Sequence, residues 1–151
     1  MKTTLLAFSR ALFSLIFFHS AITQLLNWPD TIAHLQQTCY EWQIYFETNF
    51  YIDSIIQYCI AHASFVMGVA TFLELVGGCL IFTSYQVRLG AMFLILLLIP
   101  KTVILHPFWL KVEDSLSIQI DSFLKNLSII GALFYFFIEP RKKKIELNDK
   151  R

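Results

Sequence analysis

Residues 55–82 read IIQYCIAHASFVMGVATFLELVGGCLIF, and this stretch decides the fold. At about 1.5 Å of rise per residue, a helix of this length exceeds a hydrocarbon core of roughly 30 Å and can tilt within it. Glu74 is its only Asp, Glu, Lys or Arg, and it contains no proline. A soluble core could hide one such helix. The chain carries three more apolar runs, at residues 4–26, 87–105 and, shorter, 122–138, and 151 residues leave too little polar surface to cover them all. Of these residues 56% are hydrophobic and 15% charged, where a soluble domain carries about a quarter charged. The expected fold is all-α: a single transmembrane domain over residues 1–151, built as a bundle of four antiparallel transmembrane helices with both termini cytoplasmic. The first run is expected to stay as a membrane helix rather than be cleaved as a signal peptide. Arg10 interrupts its apolar stretch, and no clean small-x-small site follows.

The orientation comes from the lysines and arginines. Lys2, Arg10, Arg88 and the tail residues Arg141, Lys142, Lys143, Lys144, Lys150 and Arg151 fall on one side, against Lys101, Lys111 and Lys125 on the other. The richer side is expected to be cytoplasmic, in a bacterial inner membrane, with residues 139–151 as a basic cytoplasmic tail. Residues 27–54 have no Lys or Arg but carry Asp30, Glu41, Glu47 and Asp53. With Trp28, Trp42, Tyr40, Tyr45, Phe46, Phe50 and Tyr51, they read as an amphipathic outer element at the membrane surface. The net charge of +1, with its cations gathered at one terminus, excludes a nucleic-acid surface. The expected partners are the bilayer itself and, beyond it, another membrane protein or a second copy of the chain.

An ionisable group within hydrocarbon costs about 2.5–3.5 kcal/mol on insertion scales, so each one needs a partner, a route to the interface or a neutral form. Glu74 is too deep to reach water easily. Ala63, Ala70, Glu74 and Gly77 share one helical stripe with Gly78 beside it, and these glycines mark a close helix contact. On the first helix Arg10, Ser14, Phe17, Ala21 and Gln24 fall on one arc, which makes this its inward face. Arg10 is the expected partner of Glu74. The competing reading has Arg10 at the cytoplasmic surface and Glu74 protonated and structural. On the third helix Arg88, Ile95, Ile99, Thr102 and His106 share a face, with Lys101 pointing elsewhere. The candidate interior cluster is therefore Arg10, Gln24, Glu74 and His106.

His19, His34, His62 and His106 all fall in the outer half of this topology, leaving room for an outer site around His19, His62 and Lys101. Neither HxxxH nor HxxE occurs, so neither metal nor haem is expected. Cys39 and Cys59 both lie toward the outer side and could form a disulfide there, or be no more than two small apolar residues. Cys79 lies near the inner side without a partner.

The order of motifs resembles the DoxX family of small four-helix membrane proteins. Arg10 stands early in the first helix, Glu74-Leu75-Val76-Gly77-Gly78 ends the second, Arg88-Leu89-Gly90-Ala91 opens the third and His106-Pro107-Phe108 closes it. Asn126-Leu127 and Gly131-Ala132-Leu133 carry the resemblance into the fourth. Where the family has Gly and then Lys late in the first helix, this chain has Ser20 and Gln24, and its outer element is long and aromatic. Some members are similar to a membrane subunit of thiosulfate:quinone oxidoreductase, and others are linked to membrane oxidoreductase complexes handling thiol stress. The resemblance thus implies a redox-associated membrane subunit that binds a quinone-like or other lipid-soluble molecule. The alternative is a non-catalytic structural or assembly subunit of a larger membrane complex.

Overall fold

A computed structural model describes residues 2–46, 50–110 and 113–138, with side chains for residues 4–46, 50–110 and 116–138. The basic tail 139–151, Lys111 and the side chain of Lys2, all used in the charge comparison, lie outside these described residues. Every regular element among the described residues is helical: α1 (Lys2–Leu26), α2 (Trp28–Tyr45), α3 (Phe50–Ala61), α4 (Ala63–Phe82), α5 (Val87–Leu105), a 3-10 turn (Phe108–Leu110) and α6 (Glu113–Ile138). Four stretches are long and apolar enough to cross a membrane, namely Thr4–Leu26, Ala63–Phe82, Val87–Leu110 and Leu116–Ile138.

Two boundaries differ from the sequence reading. The stretch read as one helix over residues 55–82 is broken at His62, whose φ of −113° and ψ of 25° leave the helical region. The hydrogen-bond ladder nevertheless passes through the break, from His62 N to the Tyr58 carbonyl and from Val66 N to the His62 carbonyl, both at 3.0 Å. With neither glycine nor proline at the break, composition carries no sign of it. The fourth helix begins at Glu113, well before the expected residue 122. Its opening residues, EDSLSIQID, are too polar to register as an apolar run, yet they contain no helix breaker.

Turn chemistry explains the other joints. Pro29 sits in the first turn of α2, where its missing N–H costs nothing. The link from α4 to α5 is tight enough to push Ser84 and Gln86 into positive φ, at 57° and 51°. Pro100 interrupts the α5 ladder but is tolerated inside a membrane-length helix. At the end of α5 the Trp42 indole N–H donates to the Ile104 carbonyl at 3.1 Å, so α2 caps α5 from the side.

Packing places α4 between α1 and α5, with α6 against α5. One core cluster joins Phe17, Ile81, Ala91, Leu94, Leu98, Ile130, Leu133 and Phe136, from all four long helices. A second gathers Leu35, Cys39, Ala63 and Met67 where α2 and α3 cover the end of the bundle. Outside these clusters the surface is strongly apolar: Leu5 is 69% exposed, Phe72 65% and Leu96 71%. Water would not tolerate so continuous an apolar surface, whereas lipid tails are its natural solvent. The chain is an integral membrane protein.

Candidate functional site

Glu74 lies on the inward face of α4, about 17 Å along the axis from Ala63, and is 3% exposed. The partner of its carboxylate is Lys101 of α5, whose Nζ donates to Oε2 at 2.9 Å. Gln24 Nε2 of α1 donates to the same oxygen at 3.0 Å. The Gln24 amide is held in turn by Ser20 Oγ, which accepts from Nε2 at 2.8 Å, and by Thr71 Oγ1, which donates to Oε1 at 3.1 Å. Three helices are thus tied at one carboxylate, and a charge that would be costly alone in hydrocarbon is matched by a cation and an amide donor.

The expected pairing of Arg10 with Glu74 is not what the chain adopts. Arg10 and Gln24 do share the inward arc of α1, where Ser14, Phe17 and Ala21 are fully or nearly fully buried. They are fourteen residues apart, however, which is about 21 Å along the helix, so the residue that meets Glu74 cannot be Arg10. His106 is likewise separate from this network: its Nδ1 lies 3.0 Å from Gln119 Oε1 and links α5 to α6. A carboxamide oxygen can only accept, so in this contact Nδ1 of His106 is the donor.

Gly77 and Gly90 set the spacing of α4 and α5. A Cβ added at Gly77 would stand 2.6 Å from Leu94 Cγ, and one at Gly90 would stand 2.9 Å from the Gly77 carbonyl oxygen. Gly78 faces α1, where an added Cβ would touch Phe17 and Phe18 at 3.4 Å. These close approaches bring α4 near enough to both neighbours for Glu74 to reach Lys101 and Gln24 at once.

Beside the network an open cleft of about 340 Å³ is lined by Ser20, Gln24, Asp30, Thr31, His34, Met67, Lys101 and Leu105. Lys101, 16% exposed, is the ion-pair member that reaches it, while Glu74 stays behind. Of the expected outer residues His19, His62 and Lys101, only Lys101 lines this cleft. His19 is exposed on α1, and the His62 ring stacks on Tyr58 at 4.3 Å with Nδ1 3.2 Å from the Tyr58 carbonyl oxygen. The histidine at the cleft is His34. The reading of residues missed Asp30, Thr31 and His34 as site residues. Their signal was the four-residue spacing of Asp30 and His34, which puts both on one face of α2.

No curated protein and no solved structure matches the chain. A family model described as DoxX matches residues 5–107, ending before α6 but taking in Ser20, Gln24, Thr71, Glu74 and Lys101, and with about two thirds of its length so matched the chain belongs to the DoxX family.

Proposed function

We propose that this chain is a redox-associated membrane subunit that holds a quinone-like or other lipid-soluble molecule in the cleft beside Lys101. The observation that carries the reading is a cleft of about 340 Å³ whose wall includes the cation of a buried ion pair. A lysine ammonium has three N–H donors, and the Glu74 contact uses one of them. A carbonyl oxygen of the ligand accepts from another, while Met67 and Leu105 offer apolar contact to the ring. Glu74 offsets the Lys101 charge, so the site suits a neutral molecule with polar oxygens better than a free anion.

Binding is tested with a short-chain benzoquinone and protein reconstituted in lipid nanodiscs, by equilibrium dialysis. Glu74→Gln with Lys101→Met removes the ion pair without stranding either charge. It should weaken binding tenfold or more, since a hydrogen bond from a charged donor is worth about 1.5–3 kcal/mol. Unchanged affinity in the folded double variant would refute the site and favour the structural-subunit alternative.

The same proposal places the protein in a bacterial inner membrane with its four spans antiparallel and both termini cytoplasmic. Contact order supports the antiparallel arrangement. Gln24 meets Glu74 while Phe17 meets Gly78, and Glu74 meets Lys101 while Ile81 meets Gly90. The uneven division of Lys and Arg supports the orientation. A reporter fused after Arg151 should read cytoplasmic and one inserted near Glu41 external; a cytoplasmic signal at Glu41 would sink this topology.

A further inference from the structure

Helices α2 and α3 lie side by side and are tied at two levels. Gln36 Nε2 donates to the Ile60 carbonyl at 3.2 Å, and Gln43 Nε2 donates to Asp53 Oδ1 at 2.7 Å. Cys39 sits on α2 between Gln36 and Gln43, one turn from each, so it shares the face that looks at α3. Cys59 adjoins Ile60 on α3. Cys39, 4% exposed, belongs to one apolar cluster with Leu35, Ala63 and Met67, and the half-buried Cys59 packs against that cluster. Both are free thiols.

We propose that Cys39 and Cys59 are a reversible thiol–disulfide site that clasps α2 to α3. The more accessible thiol, Cys59, reacts first. Burial, together with the nearby Cys59, pushes the Cys39 thiol up to about 11, so Cys39 is protonated and a poor first nucleophile. With a small-molecule disulfide as oxidant, the Cys59 thiolate attacks one sulfur, forms a mixed disulfide and releases one thiolate, which takes a proton. Cys39 then gives its proton to solvent, attacks the Cys59 sulfur and expels the second thiolate. Two protein thiols are oxidised and one small disulfide is reduced to two thiols. Cys79 takes no part, since it lies twenty residues beyond Cys59, about 30 Å along α3 and α4. The clasp bears on the cleft because Met67 belongs to both the cysteine cluster and the cleft wall, and because α2 carries Asp30, Thr31 and His34 into that wall.

The test treats the full chain in lipid nanodiscs with glutathione disulfide, blocks remaining thiols with a maleimide under denaturing conditions, and maps the peptides by mass spectrometry. The wild type should yield a peptide linked through Cys39 and Cys59, with Cys79 alone blocked, and a thiol reductant should restore all three thiols. In Cys39→Ser the glutathione adduct should remain on Cys59, and in Cys59→Ser Cys39 should stay reduced. A persistent adduct on Cys59 in the wild type, a link through Cys79, a link between chains, or three unreacted thiols would each overturn the proposal.

Discussion

Replacing Lys101 with Met should cost the fold about 3–5 kcal/mol, because it leaves the Glu74 carboxylate buried without its cation. Gln24 remains as a donor to Oε2, but a neutral amide does not replace an ammonium in a medium that screens so little. The protein should respond by loosening the contact of α4 with α5, and its unfolding midpoint in detergent should fall. Adding Glu74→Gln to Lys101→Met should recover most of the loss, since the second change removes the charge that the first one stranded. The corresponding cycle between Glu74→Gln and Arg10→Gln should be additive, as these residues sit at different depths of the bundle. Coupling between Glu74 and Arg10, with none between Glu74 and Lys101, would show that the pairing described above is wrong.

The second large effect is expected at Gly90. A Cβ there would stand 2.9 Å from the Gly77 carbonyl oxygen, 2.9 Å from Leu80 Cβ and 3.2 Å from Ile81 Cγ1. None of these is the far end of a long flexible side chain, so Gly90→Ala can be accommodated only by parting α4 from α5. Overpacking of this kind costs about 1–3 kcal/mol. The parting would also draw Lys101 away from Glu74, so Gly90→Ala should weaken ligand binding as well as stability. Gly131 provides the contrast, because a Cβ built there meets nothing within 4 Å. Gly131→Ala in α6 should be neutral or stabilising by up to about 1 kcal/mol, the helix-propensity gain alone. Unfolding titrations of the two variants side by side separate steric cost from propensity, and equal midpoints would contradict the close approach at Gly90.

The all-helical class and the four membrane-length helices were legible in the residues, because the length of an apolar run is compared directly with the thickness of a bilayer. The inward face of α1 was legible as well: a period of 3.6 residues tells which side of a helix Ser14, Phe17 and Ala21 occupy, and they are buried. That Glu74 must be hidden followed from the cost of a carboxylate in hydrocarbon. Periodicity assigns a face, however, and says nothing of how far one helix slides along another. The partner of Glu74 depends on that axial register, which close packing around Gly77 and Gly90 sets. Arg10, on the right face of α1 but about 21 Å from the right level, was therefore taken as the partner. Lys101 was set aside for a different reason: the face chosen for α5 ran through Ile95 and Ile99, whereas the buried side carries Leu94, Leu98 and, seven residues after Leu94, Lys101. The break at His62 escaped notice because no proline or glycine marks it, and the start of α6 because a polar helical turn looks like a loop when only apolarity is counted. The cleft is the most tertiary feature of all. Ser20, His34, Met67 and Lys101 come from four different helices, and only the folding of α2 over the end of the bundle brings them around one space.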